Sequence, residues 1–533
     1  MTPSPSDAPV PAPAADPFGN YGYAVLTAGA LACPDRTALT YCGERRFGYA
    51  ELDRAVNRRA HALLRAGVAP GRRVAALLGE TLGVAETYLA QFKIGAVTAA
   101  LNPFWSAEVL AAVVDRSGAT AFVYDAGMDA LVAEVRPKLP GIGLWLRLGG
   151  PSEDAVDLDT LAARCPEDQP EIRGSGDDPL ALFYTSGSTD LPKAVLHTHA
   201  SALATARLWQ DIPREDDSVF GTGAIIWGIG FPAIAGPALY GRMHLVLEQD
   251  WGPENFLRVV PREKVTHVSL IPSFFSALLA GDAHRGADLS SVTTIVLGGE
   301  PLAPALLDRI KERMPQARVY GYYGQTEAPY SVCGRLDDGS QDLRSSGRAR
   351  TGFAVRVTGP GGEPLVDEVG EINLAGPHRM ARYDGRPDKT AEVLRGVWYV
   401  GGDLGRIDGE GRLYVLGRRS DAILKGGRWT PPAEVEEAAA ELEQVAEAGA
   451  VGVPENIDGE DPVEQRLLLA VVARPGSGAT AEGIAAALAE RLPEHRRPDA
   501  VVLADELPHT ADASGGPGKL LRREIRARYA DRL

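Results

Sequence analysis

The sequence has few cysteines, no excess of basic residues and no long uninterrupted apolar run. Its four cysteines are scattered without a CxxC pair among 533 residues. This spacing predicts neither a disulfide framework nor a zinc site, and it is typical of a reducing cytoplasm. The longest apolar run, GAIIWGIGFPAIAGPALY from Gly223, is short for a membrane span and is broken by Gly and Pro. We therefore expect a soluble, cytoplasmic protein without a membrane span.

Acidic residues outnumber basic ones, and the formal net charge is −16. A protein that binds a nucleic-acid backbone or an anionic membrane needs a basic face, so the charge balance disfavours both partners. Any phosphate group of a ligand must therefore be bound by a few local residues rather than by an extended basic surface. Residues 1–16 are rich in Pro and Ala and lack the basic and apolar regions of a signal peptide, which predicts a disordered leader.

Short apolar runs alternate with helical patterns along most of the chain. RVAALLG, AVTAAL, TAFVYDA, THVSLIPS and TTIVLGGE have the character of buried strands, whereas TLGVAETYLAQFKIG has the period of a helix. This alternation predicts βαβ units. We expect an α/β fold with a large N-terminal domain of mostly parallel sheets flanked by helices, residues 17–417. A small mobile α+β C-terminal domain, residues 418–533, would follow a hinge near Ser420.

The stretch YTSGSTDLPK has the composition of a loop that holds phosphate. Its hydroxyls and backbone N–H groups can surround a polyphosphate, and a lysine adds a point charge. The predicted phosphate-binding residues are Thr185, Ser186, Gly187, Ser188, Thr189 and Lys193. The stretch is not a Walker A sequence, and taken alone it also fits an ordinary polar turn.

Six motifs in fixed order decide between these readings. YTSGSTDLPK, YYGQTE, WYVGGDLG, GRRSDAILKGG, PAEVE and GKLLRRE resemble the adenylate-forming superfamily, which contains acyl-CoA and aryl-CoA ligases, luciferases and peptide-synthetase adenylation domains. The resemblance runs from about Tyr23 to the C-terminus and is closest in pattern to the acid-CoA ligases. It implies ATP and Mg²⁺, and an acid whose carboxylate attacks the α-phosphate and expels pyrophosphate.

The resemblance also implies a role for each matching residue. Lys193 and the hydroxyls before it would hold the β- and γ-phosphates. Thr326 would contact the α-phosphate, and Glu327 would help to hold Mg²⁺, which prefers hard oxygen ligands. Lys519, in GPGKLLRRE, matches the lysine that the family's small domain inserts against the acyl carboxylate and α-phosphate. The segment before it looks longer than usual in the family.

The nucleoside-binding residues follow from the same resemblance. Tyr323 would stack on adenine, Asp403 would accept hydrogen bonds from the ribose hydroxyls, and Arg418 would close over the sugar. The other residues implied in nucleotide binding are Gly299, Glu300, Tyr322 and Gly324.

The second half-reaction of the family follows a rotation of the small domain. Ser420 occupies the hinge position, and Gly426 and Gly427 would leave room for a pantetheine arm, although a glycine pair also fits a plain turn. The chain shows no carrier-protein serine motif, which favours free coenzyme A as the acceptor. The oligomeric state is open, and a homodimer fits the pattern.

The predicted acid pocket contains Trp227, Gly230 and Gly298. No acidic residue lies between Gly221 and Tyr240, where relatives that activate amino acids place an aspartate. An unpaired buried ammonium costs several kcal/mol, so an amino-acid substrate is disfavoured. We expect an aromatic or medium-chain carboxylic acid.

Three departures from the family pattern keep alternatives open. Asp190 and Ala194 replace glycines of the phosphate loop, and Trp227 replaces a histidine. We expect Asp190 to point to solvent, because its charge would repel a triphosphate. One alternative is a diazotase-like enzyme that activates nitrite and transfers it to an arylamine. Another is a degenerate, non-catalytic protein that binds adenylates.

Overall fold

The computed structural model describes residues 19–79, 81–171, 173–185, 191–207, 212, 217–221, 230–300, 302–337, 345–454, 464–511 and 517–533, with the backbone alone at 510, 511 and 517–519. The chain divides into two compact units. The first comprises the residues up to 354 together with 375–399, and the second comprises 355–374 and 400–533. The predicted leader lies outside the described residues. The boundary predicted between residues 417 and 418 is the hinge of a domain rotation, and it stays a prediction.

The first unit contains two large, mostly parallel sheets. The nine-stranded sheet has the order Arg348–Ala349, Ala328–Arg335, Arg318–Gln325, Thr294–Leu297, His267–Leu270, Ser218–Gly221, His244–Leu247, Thr37–Tyr41 and Arg45–Gly48. The eight-stranded sheet has the order Arg382–Tyr383, Lys193–Thr198, Pro179–Thr185, Val97–Ala100, Arg73–Leu77, Ala121–Asp125, Leu144–Leu148 and Val156–Asp157. The central strands pair in parallel, whereas the antiparallel pairs lie towards the sheet edges. A short hairpin joins Leu394–Arg395 to the start of Trp398–Ile407.

Helices accompany the strands of the first unit, as the alternating pattern predicts. The α-helices are Ala28–Ala32, Tyr49–Arg65, Thr81–Lys93, Ala107–Ser117, Asp129–Val135, Leu158–Ala163, His199–Ala206, Gly236–Tyr240, Pro253–Glu263, Pro272–Leu278, Pro304–Arg313 and Pro387–Val393. Two of them continue from π-helical segments, Tyr23–Thr27 and Phe231–Ala235. Every residue of Thr81–Lys93 is buried, because this helix is apolar around most of its circumference.

The main core of the first unit combines side chains from both sheets and from the buried helix. Val74 and Leu245 represent the two sheets in this core, and Leu89 and Phe92 represent the helix. Strands buried on both faces require near-continuous apolar runs, and this explains why short runs such as TTIVLGGE identify strands so well. The core therefore fixes the strand ends, which in such sheets are the usual place for ligands.

The second unit is built from smaller, mostly antiparallel sheets. Five strands of one sheet lie wholly or partly in this unit, namely Pro364–Leu365, Ala354–Thr358, Gly370–Ala375, Trp398–Ile407 and Leu413–Arg418. Another sheet consists of Val445–Pro454, Gln465–Ala473 and Ala500–Ala504. Two hairpins pair Ile423–Lys425 with Arg428–Thr430 and His509–Ala511 with Pro517–Leu520. The α-helices are Pro432–Ala440, Ala481–Arg491 and Arg522–Tyr529.

The prediction of an α/β chain with a large, mostly parallel N-terminal part and a smaller α+β part is confirmed. Across the described residues, no helix combines the length and the apolar character needed to cross a bilayer.

Candidate active site

The predicted phosphate loop connects two antiparallel strands of the eight-stranded sheet. Pro179–Thr185 leads into the loop and Lys193–Thr198 leaves it, with Thr185 directly opposite Lys193. The loop residues Ser186, Gly187, Ser188, Thr189 and Asp190 lie outside the described residues, so the predicted orientation of Asp190 stays a prediction. Ala194 pairs with Tyr184 in the strand ladder. The two ends of the loop are therefore fixed side by side by the sheet.

The ammonium of Lys193 faces an aromatic ring that the motifs did not identify. Its Nζ lies 5.2 Å from the centroid of the Tyr383 ring, a distance typical of a cation–π contact. Tyr383 lies on the edge strand Arg382–Tyr383, which pairs with Lys193–Thr198. The sheet thus holds the lysine and the tyrosine on neighbouring strands.

Thr326 and Glu327 form the two-residue turn between Arg318–Gln325 and Ala328–Arg335, where Gln325 pairs with Ala328. Glu327 is buried, at 6% exposure. The hydroxyl of Tyr383 donates to its Oε1 at a distance of 2.6 Å. A buried carboxylate is costly unless donors satisfy it, so this hydrogen bond stabilises Glu327 and fixes its orientation.

The Glu327 carboxylate fits a magnesium ion that is completed by a substrate. Mg²⁺ is usually bound by one or two carboxylates, phosphate oxygens and several waters rather than by an all-protein cage. Among the described residues, no cluster of three or more His, Cys, Asp or Glu side chains could hold a metal alone. One oxygen of Glu327 accepts from Tyr383, and no side chain within the described part of the protein donates to the other.

The backbone of the same turn is held by a buried histidine. The Nε2 of His197 lies 2.8 Å from the carbonyl oxygen of Thr326, and its Nδ1 lies 3.1 Å from Oγ of Ser201. Burial lowers the pKa of His197 to about 4, so the ring is neutral at pH 7. A neutral ring that donates from Nε2 to the carbonyl must accept at Nδ1.

Helix His199–Ala206 begins with a capping box that orients this histidine. Thr198 Oγ1 accepts from the backbone N–H of Ser201, and Ser201 Oγ accepts from the N–H of Thr198. Such reciprocal caps satisfy the free N–H groups at a helix start. The cap therefore places the Ser201 hydroxyl beside the His197 ring.

Gln325, the residue before the turn, is anchored by Tyr399. The Tyr399 hydroxyl donates a short hydrogen bond to Oε1 of Gln325. Burial raises the pKa of Tyr399 well above its ordinary value, and the negative charge of Glu327 acts in the same direction. Tyr399 therefore stays protonated and can donate.

The glycines of YYGQTE and LGGEPL have steric or conformational reasons for their identity. A Cβ on Gly324 would lie 2.8 Å from the carbonyl oxygen of Ala328 and closer still to the backbone nitrogen of Tyr330. A Cβ on Gly298 would lie 2.6 Å from the Tyr322 ring, and Gly299 has a φ of +82°. Both clashes and the positive φ favour glycine.

The two neighbouring tyrosines of YYGQTE have different environments. Tyr322 stacks on Tyr330, with ring centroids 4.1 Å apart and an interplanar angle of 26°. Tyr330 itself has a φ of +52° and shares a hydrogen bond of 3.1 Å with Ser269. Tyr323 is half-buried, and its predicted stacking on adenine stays a prediction.

Glu300 has a structural role next to this region. Its carboxylate accepts hydrogen bonds from the backbone N–H and the hydroxyl of Ser273, at 2.9 and 3.0 Å. Ser273 lies in the first turn of Pro272–Leu278, where free N–H groups need acceptors. Glu300 thus ties the predicted pocket wall to a helix start.

The predicted acid pocket is described only in part. Trp227 lies outside the described residues, whereas Gly230 is buried and directly precedes the π-helical segment Phe231–Ala235. Phe231 packs against Tyr88 and Phe92, with ring centroids 5.6 and 5.9 Å apart. An aromatic cluster therefore supports this end of the segment.

Within the second unit, the two predicted ribose-binding residues lie together. Asp403 pairs with Arg418 across antiparallel strands, and Oδ1 of Asp403 lies 3.0 Å from Nη1 of Arg418. Asp403 is buried, whereas 59% of the Arg418 side chain is exposed. Ser420 lies exposed in the short turn that follows.

Gly426 and Gly427 form the turn between Ile423–Lys425 and Arg428–Thr430. Their φ angles are +60° and +68°, the pair of left-handed conformations that a type I′ hairpin turn requires. Their backbone N–H groups donate to the carboxylate of Glu464. The turn conformation therefore explains why both residues are glycine. Their contact with pantetheine stays a prediction.

Lys519 lies on the strand Pro517–Leu520, which pairs with His509–Ala511. Its side chain lies outside the described residues, as do residues 512–516 of the long connection. His509 Nε2 lies 2.7 Å from Oε1 of Glu447, and Arg522 binds Glu436 through two nitrogens. These contacts hold the chain on both sides of Lys519.

Comparisons with known proteins agree with this architecture. A family model described as AMP-binding enzyme matches residues 26–384, and the model of the AMP-binding enzyme C-terminal domain matches residues 434–513. A feruloyl-CoA synthase from an Amycolatopsis species is 33% identical over 501 residues, which cover 93% of this chain and 96% of that protein.

Two solved structures extend the comparison. A fatty acyl CoA synthetase from Mycobacterium tuberculosis matches with a TM-score of 0.80 at 23% identity, covering 97% of this chain and 100% of that one. An amide bond synthetase from Marinactinospora thermotolerans matches with a TM-score of 0.75 at 26% identity, covering 96% and 99%. The chain therefore belongs to the AMP-binding enzyme family, and the prediction of an adenylate-forming ligase is confirmed.

Proposed function

We propose that this enzyme activates a small carboxylic acid, aromatic or medium-chain, with ATP and transfers the acyl group to coenzyme A. The observation that carries the proposal is the similarity to a feruloyl-CoA synthase along nearly all of both chains. Feruloyl is an aromatic acyl group, so aromatic propenoic and benzoic acids are the first substrates to test. Medium-chain acids are the second class.

In the first half-reaction, an oxygen of the carboxylate attacks the α-phosphorus of ATP and pyrophosphate leaves. Lys193 and the loop hydroxyls hold the β- and γ-phosphates, and Thr326 contacts the α-phosphate. Glu327 holds Mg²⁺, which neutralises charge on the phosphoryl oxygens when it is bound. Fixed cations and donors stabilise such a transition state more strongly than water does, because they need no reorganisation.

The nucleoside contacts in this proposal are those that the motifs predict. Tyr323 stacks on adenine, next to the wall formed by Gly299 and Glu300. Asp403 accepts from the ribose hydroxyls, and its existing contact with Arg418 orients the carboxylate.

In the second half-reaction, the thiol of coenzyme A attacks the acyl carbon and AMP leaves with the bridging oxygen. We place the hinge for the preceding rotation at Ser420, where an exposed short turn joins two strands. Lys519 serves the first half-reaction, and the Gly426–Gly427 turn contacts the pantetheine arm in the second. Separate conformations for the two steps prevent one set of groups from blocking the other.

The test is pyrophosphate release from ATP and Mg²⁺ with a panel of cinnamates, benzoates, medium-chain acids and nitrite, each with and without coenzyme A. The proposal predicts a signal from a carboxylic acid that rises with coenzyme A, together with the acyl-CoA product. Activity with none of the carboxylic acids, or activity that ignores coenzyme A, would overturn it.

An amine acceptor is the second candidate, because an amide bond synthetase shares the fold at 26% identity. The adenylate would then pass its acyl group to an amine nitrogen instead of a thiol. The same panel distinguishes the two when arylamines replace coenzyme A. An amide product with no thioester would favour the amine, and nitrite as the activated acid would favour the diazotase-like chemistry.

A further inference from the structure

We propose that Tyr383 is a positioning residue for magnesium-bound ATP. It orients the Glu327 carboxylate through its hydroxyl, and it keeps Lys193 apart from that carboxylate with its ring. This inference rests on the proposed use of ATP, but it does not depend on which acid is activated or on which acceptor is used.

The first observation is that one side chain contacts two predicted phosphate-site groups of opposite charge. The Tyr383 hydroxyl donates to Oε1 of Glu327 at 2.6 Å, and its ring lies 5.2 Å from Nζ of Lys193. Hydrogen bonds to a charged acceptor are stronger than neutral ones. A tyrosine provides both contacts because it combines a donor with an aromatic face.

The second observation concerns the spacing of the two charges. Lys193 and Glu327 are both described, yet no ion pair joins them within the described part of the chain. A direct pair would neutralise both groups before ATP arrives. With the Tyr383 ring beside the ammonium and its hydroxyl on the carboxylate, the two charges do not neutralise each other.

The third observation is that Tyr383 is rigidly held. It is 3% exposed, it lies in the ladder opposite Val195, and its backbone N–H donates to Oγ1 of Thr390 at 3.0 Å. Thr390 belongs to helix Pro387–Val393. A side chain fixed in this way loses little further freedom when it orients a metal ligand.

A second buried hydroxyl extends the arrangement. Tyr399 is 2% exposed, lies close to Tyr383 and donates to Gln325. The residues on either side of Thr326 are therefore each held by a tyrosine hydroxyl. Partners that orient a metal ligand are typically worth about 10- to 100-fold in metal affinity.

The test measures ATP binding by calorimetry, with graded Mg²⁺ and separately in EDTA, without an acid substrate. Tyr383→Phe keeps the ring but removes the donor. In the original chain, ATP affinity should rise with the Mg²⁺ concentration. For Tyr383→Phe, we expect the midpoint of this rise to lie at an about tenfold higher Mg²⁺ concentration. ATP affinity in EDTA should stay unchanged. Glu327→Gln should have a similar effect, and the double variant should lose no more than the larger single effect.

Two further variants separate positioning from general damage. Tyr383→Leu also removes the ring beside Lys193, so it should weaken ATP binding in EDTA as well. Tyr414→Phe removes a comparable tyrosine–carboxylate bond, the 3.2 Å contact with Asp408 in the second unit. It should leave the magnesium dependence unchanged.

The outcomes separate this inference from the proposed function. If Tyr383→Phe matches the original chain in its magnesium dependence, or weakens ATP binding equally with and without Mg²⁺, the positioning role is wrong. If the original chain binds no ATP at all, the proposed function fails instead. Additive losses in the double variant would also overturn the role, because they would mean that Tyr383 acts independently of Glu327.

Discussion

Two predicted motifs lie in two-residue turns between antiparallel strands, yet the two turns are built differently. Thr326–Glu327, in the first unit, is held from three sides by His197, Tyr383 and, through the preceding glutamine, Tyr399. Gly426–Gly427, in the second unit, is shaped by two left-handed glycines and contacts one carboxylate. The first turn has its geometry fixed by side chains that surround it, whereas the second has it fixed by its own backbone.

This difference matches the tasks that we propose for the two turns. A group that holds a metal must be in place before the reaction, since preorganised charge is what stabilises the transition state. A turn that meets a substrate arm only after a rotation needs a definite shape but few attachments. The predictions below examine this contrast, from the largest expected effect to the smallest.

Lys519→Ala should reduce adenylate formation by about 10³-fold, because in our proposal this cation stabilises the developing negative charge. ATP binding should stay within about twofold of the original chain, because the residues proposed to hold the triphosphate all lie in the first unit. The measurement is acid-dependent pyrophosphate release beside calorimetry with ATP. Lys389→Ala, which removes an exposed lysine paired with Glu392, is the control. Unchanged pyrophosphate release would remove Lys519 from the mechanism.

Glu327→Gln should lower adenylate formation by about 10²-fold, because the neutral amide is a poor magnesium ligand. Added Mg²⁺ should recover part of the loss. Initial rates across a magnesium series check both statements, with the exposed Glu108→Gln as the matched control. A uniform loss that magnesium cannot alter would contradict a metal-binding carboxylate.

Gly324→Ala and Gly426→Ala compare the two turns by stability. At Gly324 a Cβ meets backbone atoms of the neighbouring strand, so the free energy of unfolding should fall by about 3 kcal/mol. At Gly426 no atom lies within 4 Å of the Cβ, and only the left-handed conformation costs about 1 kcal/mol. Urea unfolding of each variant measures both values. Equal losses would show that the turns are not stabilised in the different ways described.

Acid should weaken the first unit through its buried histidines. Burial lowers the pKa of His197 and His199 to about 4, and that of His267 and His378 to about 3. Between an ordinary pKa near 6.5 and these values, the unfolded chain binds more protons than the folded one, so stability falls as pH falls. At pH 5.5 each histidine should cost about 1 kcal/mol relative to pH 7.

Urea unfolding between pH 7 and pH 4.5 measures this slope. His197→Gln cannot take up a proton at that position, so its stability should depend on pH less steeply than that of the original chain. A stability that is constant over this range would contradict the neutral, buried state of these rings.

The sequence predicted the fold class well because the strands of the first unit are buried on both faces and therefore appear as apolar runs. The family motifs correctly brought Lys193 and Glu327 into one region, since both contact Tyr383. Tyr383 itself was missed. Its contact with Glu327 spans 56 positions along the chain, and a tyrosine in ARYDGRP resembles any core tyrosine.

The glycines show a further limit of reading motifs. Gly324 was assigned to nucleotide binding, and the structure adds that any side chain there would strike the backbone near Tyr330. For Gly426 and Gly427, the sequence left two explanations open, a pantetheine channel and a plain turn. Their positive φ angles explain why both residues are glycine without invoking a ligand. A motif position can thus be required by the fold, by the ligand or by both, and only three-dimensional contacts separate these reasons.

The most direct test of the account follows the oxygen atoms of the acid. Ferulate, or the best acid from the panel, is labelled with ¹⁸O in its carboxylate and incubated with ATP, Mg²⁺ and coenzyme A, and the nucleotide product is analysed by mass spectrometry. The account predicts AMP that carries one ¹⁸O atom, because the carboxylate oxygen that attacks the α-phosphorus leaves with AMP. Unlabelled AMP, or ADP with the label in inorganic phosphate, would contradict an acyl-adenylate intermediate.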